Sequence, residues 1–127
     1  MKKVAIFQKD LNIGGIERSL LNLLHCIDYS KYEVDLYLFS KNNLFSKDID
    51  KNVNVYYLNK LPSFTKVISF NLIKKIYKCK IKKQYDIAID FNSYSVECAL
   101  NAIMCSAKRR IIWVHNDIEV KLKEEFT

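Results

Sequence analysis

Glycine and proline are almost missing from this chain: two glycines and one proline in 127 residues. With half the residues apolar and 13% aromatic, that scarcity excludes low-complexity and disordered polymers. No internal repeat is visible. Long apolar runs are missing too, and no stretch approaches the ~20 apolar residues that span a bilayer. The opening Met1-Lys2-Lys3-Val4-Ala5-Ile6-Phe7 starts like a signal peptide, but its apolar run is short and is broken by Gln8, Lys9 and Asp10. Regular cysteine spacing is absent as well. Cys26, Cys79, Cys98 and Cys105 form no C-x-x-C pair, so zinc and disulfide frameworks are disfavoured and reduced thiols in a cytosolic protein are expected. Acidic charge is in deficit: 21 Lys and Arg stand against 14 Asp and Glu, a formal +7. That favours anionic partners such as nucleotides, acidic membrane surface or nucleic acid, and leaves the fold open.

What is present is an alternation of strand and helix patterns in a chain long enough for one domain that buries roughly two-thirds of its surface. Val4–Gln8 reads as a buried strand, and Ile16, Leu20, Leu21, Leu23, Leu24 and Ile27 share one face of a helix. Glu17 lies in the first turn of that helix, where a carboxylate complements the dipole. Glu33–Phe39 is a second strand, in which Asp35 and Tyr37 alternate with Val34, Leu36 and Leu38, so one face is expected to be less buried. The polar Ser40–Asn52 stretch reads as a loop, with room for at most a turn of helix, and Val53–Leu58 as a short strand. Phe64, Ile68, Leu72, Ile76 and Cys79 predict one long helix from about Phe64 to Lys83. Asp86–Phe91 is a fourth strand, Asn92-Ser93 an N-cap for a helix through Ile103, and Arg110–Val114 a fifth strand. Asp117 begins a last helix. The order βαββαβαβ(α) implies an α/β fold: a Rossmann-like open parallel sheet in three layers, with strand order 3-2-1-4-5 and a ligand-binding switch point between strands one and four.

In such a sheet the loops after strands one, four and five converge at one edge. They carry Lys9–Gly15, Asn92–Tyr94 and His115–Asn116. The only two glycines are adjacent, Gly14 and Gly15, at a strand-to-helix junction. Two readings stand: a turn that merely starts the helix, or a place where a phosphate meets the Gly15 amide at the helix N-terminus. The junction is neither a dinucleotide fingerprint nor a Walker loop, since G-x-G-x-x-G and Gly-Lys-Ser/Thr are both missing. His115, directly after Trp113-Val114, is either a packing residue or a donor to a sugar hydroxyl or phosphate. His25 reads as a surface or half-buried side chain of the first helix. Asp48-Ile49-Asp50 matches a D-x-D metal pattern but lies between Lys47 and Lys51 in a polar loop, so no metal site is assigned. Lys74, Lys75, Lys78, Lys80, Lys82 and Lys83 form either a solvated face or an attachment to an anionic membrane. No nucleic-acid motif accompanies the charge.

The stretch Gly14-Gly15-Ile16-Glu17-Arg18-Ser19-Leu20-Leu21-Asn22-Leu23 resembles the N-terminal signature of family-4 glycosyltransferases. Tyr85-Asp86-Ile87-Ala88-Ile89-Asp90 is similar to their fourth strand, and Trp113-Val114-His115-Asn116 to the strand and histidine loop that follow. The resemblance implies one half of a GT-B fold, residues 1–127 being the acceptor-side domain and a C-terminal donor-binding domain with an E-x7-E motif being absent from this sequence. It implies retaining transfer from a nucleotide-sugar to a polysaccharide or lipid-linked acceptor, without metal or other cofactor; a cytoplasmic place is expected, and the basic segment suits a peripheral one on the inner face of the membrane. Gly14 and Gly15 would meet the donor phosphate and His115 would act at the transferred sugar. Asn12, Arg18, Asn92, Ser93 and Asn116 would border the acceptor cleft, with Arg18 also open to a structural role. A half-site of this kind is expected to have negligible activity by itself. Two rivals remain: a non-catalytic α/β module for a nucleotide or phosphorylated sugar, and a basic adaptor for membrane or nucleic acid.

Overall fold

The computed structural model describes residues 1–12, 14–92 and 95–115. Among them run strands β1 (Lys2–Gln8), β2 (Tyr32–Leu38), β3 (Asn54–Tyr57), β4 (Tyr85–Asp90) and β5 (Ala107–Ile112), and helices α1 (Gly15–Cys26), α2 (Phe70–Ile76) and α3 (Val96–Met104). The strands form one sheet in the order β3-β2-β1-β4-β5, and every neighbouring pair is parallel. The Rossmann-like α/β architecture and the 3-2-1-4-5 order expected from the sequence are what the chain adopts.

The central strand explains the layers. Residues Val4 to Gln8 of β1 are all buried, as the unbroken apolar run demands of a strand covered on both faces. On one face Val4, Ile6, Val34, Leu36, Leu38 and Ile89 pack against Leu20, Leu21 and Leu24 of α1. The β2–β3 connection closes this face through Phe45, Ile49 and Val53, and its single 3-10 turn, Ser46–Asp48, is all the helix that the short step contains. On the other face Ala5, Phe7, Tyr37 and Ala88 pack against Cys98, Ala102 and Cys105 around α3.

Three sequence expectations are corrected by this packing. The Asp35–Tyr37 face of β2 is fully covered: Asp35 is 0% exposed and Tyr37 6%. The polar groups are paired with one another, since Asp35 accepts from Lys83 Nζ at 2.7 Å, Tyr85 Oη at 2.6 Å and Asn54 Nδ2 at 3.0 Å. The single long helix from about Phe64 to Lys83 does not form. A 3-10 turn at Ser63–Val67 and the short α2 replace it, and the chain is extended from Tyr77. The extended run is drawn onto the sheet: Cys79 and Ile81 pack against the second core face, Tyr77 Oη donates to Asn101, and Lys83 reaches Asp35. The cap of α3 is Ser95, whose Oγ accepts from the Cys98 amide at 3.3 Å, and not Asn92-Ser93. The helix expected from Asp117, like Ser93 and Asn116, lies outside the described residues.

Candidate functional site at the carboxyl rim of the sheet

Because β1, β4 and β5 are consecutive neighbours and parallel, their carboxyl ends share one rim, with β1 and β5 about 10 Å apart. Backbone bonds extend the ladder past the strands: Phe91 N to Phe7 O at 3.0 Å and Trp113 N to Asp90 O at 2.9 Å. The first places Asn92 beside the exit of β1. The second brings the chain to His115 beside the exit of β4.

His115 is held there by Phe91. Its Nε2 lies 2.6 Å from the Phe91 carbonyl, and its ring stands edge-on to the Phe91 ring at 4.6 Å. A carbonyl only accepts, so Nε2 carries the proton, and Nδ1 is the nitrogen left for a ligand. The Trp113 ring stacks over the imidazole with centroids 6.4 Å apart.

The glycine pair begins α1. Gly14 has φ 167° and ψ 163°, extended backbone that any residue adopts, so its own conformation does not require glycine. A Cβ added at Gly14 would collide with the Glu17 carboxylate, which folds back over the helix end. A Cβ at Gly15 would meet nothing within 4 Å among the described residues. Arg18 N makes the first intrahelical bond, to Gly14 O at 3.2 Å, and no side chain of Gly14 can cap the helix. The amides before Arg18 therefore have no carbonyl partner within the helix.

Asn12 is engaged elsewhere. Its Oδ1 accepts from Leu44 N at 3.3 Å, while Leu11 N donates to Asn43 Oδ1 at 2.7 Å and Phe45 N to Leu11 O at 3.0 Å. These bonds fasten the β1–α1 loop to the β2–β3 connection. Arg18 stacks over the Phe45 ring at 4.7 Å and lines a 530 Å³ cavity on the flank of α1 with His25, Asp48 and Asp50. His25 contacts the Asp48 carbonyl at 2.9 Å and the Asp50 carboxylate at 3.2 Å, so the D-x-D pair braces α1.

Asn92 lines a different cavity, of about 710 Å³, at the rim itself. Its other walls include Lys9, Lys60, Ser95 and Glu97, none of which was singled out in the sequence. Glu97 is occupied, accepting from Leu61 N at 3.3 Å and from Ser95 Oγ at 3.0 Å. Gly14, Gly15 and His115 are not among the walls of this cavity. Lys9 carries a signal that sequence could have used, its place directly after a buried strand; Lys60 carries none. Two more polar side chains are buried at the ends of these strands: Asp90, 1% exposed, and Gln8, 0% exposed, whose Oε1 has no hydrogen-bond partner among the described residues.

The expected lysine cluster divides. Lys83 is tied to Glu33 at 2.5 Å and to Asp35 at 2.7 Å, whereas Lys74, Lys75, Lys78, Lys80 and Lys82 are exposed. Among the described residues no helix is long and apolar enough to cross a membrane.

No protein-family profile matches the chain. It is 27% identical over 116 residues to an uncharacterized glycosyltransferase of Haemophilus influenzae. The match takes in 91% of this chain and 33% of that protein, so the chain spans about a third of the length of its relative.

Proposed function

We propose that this chain is the acceptor-side domain of a glycosyltransferase, one half of a two-domain GT-B enzyme of the family-4 kind. The observation that carries the reading is the shared rim of β1, β4 and β5, with the N-terminal end of α1, Asn92 and His115 along one edge of the sheet. The similarity to a glycosyltransferase over nearly the whole chain supports the same class.

In this reading the donor is a nucleotide-sugar bound chiefly by a second domain. The Gly15 amide receives its phosphate across the cleft, where the helix dipole favours an anion. His115 offers Nδ1 to the transferred sugar, and its orientation is set by the Phe91 carbonyl. The glycan or lipid-linked acceptor enters along the 710 Å³ rim cavity beside Asn92. Transfer is retaining and uses no metal. Arg18, over the Phe45 ring, and Asn12, bound by Leu44 N, fasten the β1–α1 region to the β2–β3 connection beside the cleft.

The test is sugar transfer by the product of the complete reading frame. His115→Ala is expected to lower kcat by about a hundredfold or more, the scale of a lost positioned donor or acid–base group. Gly15→Ala is expected to raise the KM for the donor while the fold persists. The 127 residues alone are expected to give no turnover. Robust transfer by them, or an undiminished kcat without His115, contradicts the proposal. Tight nucleotide binding by the 127 residues alone would favour a non-catalytic binding module instead.

A further inference from the structure

From residue 51 to residue 85 the sequence holds no aspartate or glutamate and nine lysines. The fold sorts this segment by side. Along the extended run, Tyr77, Cys79, Ile81 and Lys83 are partly buried, while Lys78, Lys80 and Lys82 are exposed. The two-residue period of extended chain thus sets Lys78, Lys80 and Lys82 in a row on the outer side, their Cα positions about 7 Å apart. Next to it, α2 buries Ile73 at 3% exposure but leaves Leu72 at 50% and Ile76 at 64%. Leu72 and Ile76 are one turn apart and form a single apolar ridge. Val67, in the turn before α2, is 89% exposed. Lys74 and Lys75 close the last turn of the helix. Lone exposed aliphatic side chains are ordinary on a protein surface, but an aliphatic ridge beside an acid-free lysine row is not a solvated charge face.

We infer that this side of the molecule docks on an anionic membrane surface. Leu72, Ile76 and Val67 enter the interfacial region, and Lys78, Lys80 and Lys82 meet the lipid phosphates. Charge selects this occupant. A second copy of the chain would bring the same lysine row against itself, with no carboxylate in the segment to offset it. Aliphatic burial and attraction to acidic lipid act together in such a surface, and each alone is weak. The inference stands apart from the sugar-transfer reading, and its failure would leave that reading untouched.

Cosedimentation of the 127-residue chain with phosphatidylcholine vesicles, with and without phosphatidylglycerol, tests it. The expected result is binding only to the anionic vesicles, weakening as salt is raised. Replacing Lys78, Lys80 and Lys82 by glutamine is expected to lower partitioning about a hundredfold, at about fivefold per lysine. Leu72→Ser with Ile76→Ser is expected to lower it at least tenfold, a loss of about 1.4 kcal/mol or more. Circular dichroism should be unchanged in both variants, and the lysine variant does not depend on α2 remaining folded. No binding to anionic vesicles overturns the inference. So does binding indifferent to Leu72 and Ile76, which would be charge attraction without insertion. Self-association that the serine variant abolishes would assign the ridge to a second copy and overturn it as well.

Discussion

At the scale of single residues, chemistry here follows burial. Burial pushes the Cys98 thiol well above its ordinary range and the Cys105 thiol up to about 11, and both side chains lie inside the second core face. Cys26 is exposed on α1. A thiol reagent at mildly alkaline pH is therefore expected to modify Cys26 in the native protein and to reach Cys98 and Cys105 only on unfolding. Peptide mapping of the labelled chain reads the order directly; early labelling at Cys98 would contradict the packing. Gly15 follows the opposite logic. No described residue lies within 4 Å of a Cβ there and the residue opens a helix, so Gly15→Ala is expected to raise stability by about 0.4–1 kcal/mol in urea unfolding. Under the proposed sugar-transfer reading, a gain in stability paired with a raised donor KM would separate a ligand role from a folding role at this one position.

At the scale of elements, the ends are set by side chains reaching across loops. Ser95 caps the start of α3, and Arg110, from β5, covers its end, donating to the carbonyl oxygens of Ala102, Ile103, Cys105 and Ala107 at 2.8 to 3.1 Å. A cation on the last carbonyls of a helix complements the dipole and helps to satisfy them. Ser95→Ala is expected to cost about 1 kcal/mol and Arg110→Met about 1–2 kcal/mol, measured as shifts of the urea midpoint at constant slope. Either loss would loosen α3 against β4 and with it the wall of the rim cavity. The missing long helix belongs to this scale too. Helical periodicity in residues 64–83 is real, but Ser69 caps only the short α2, and Cys79 and Ile81 gain more by lying flat on the sheet than by continuing the helix.

At the scale of the whole molecule, one buried polar network joins β2, β3, β4 and the run before β4. Burial alone would raise the Asp35 carboxyl, but hydrogen bonds from Lys83, Tyr85 and Asn54 and the Lys83 charge outweigh it and hold it below its ordinary value. Burial would lower Lys83, and its bonds to Asp35 and Glu33 reverse that and raise it. Burial, followed by the bonds to Asp35 and Tyr37, raises Tyr85. The signs give a plateau. The Asp35 contribution is present above the unfolded carboxyl value of about 4 and is lost as pH falls through the lower folded value. The Lys83 and Tyr85 contributions are complete below about pH 10 and are lost as pH rises beyond the unfolded values. Stability from this network is therefore expected to be flat between about pH 4 and pH 10 and to fall on both sides. Lys83→Met leaves Asp35 buried without its cation and is expected to cost about 3 kcal/mol at neutral pH, with a smaller loss in acid as the carboxyl takes a proton. Equal losses at neutral and acid pH would show that Lys83 acts by packing alone.

What the sequence determined by itself was whatever depends on local pattern. The apolar run of β1, the leucine face of α1 and the alternation of strands with helices dictate an open parallel sheet, and short connections leave few strand orders, so 3-2-1-4-5 and a shared rim for Gly15, Asn92 and His115 were legible. Tertiary structure decided what depends on neighbours distant in sequence. Asp35 became a buried anchor because Lys83 and Tyr85 arrive from some 50 positions away. Arg18 turned onto Phe45, Asn12 was taken up by Leu44, and Lys9 and Lys60 came to face one cavity. A periodic pattern states which side of an element is apolar; only the folded chain states what that side, and each polar group beside it, will meet.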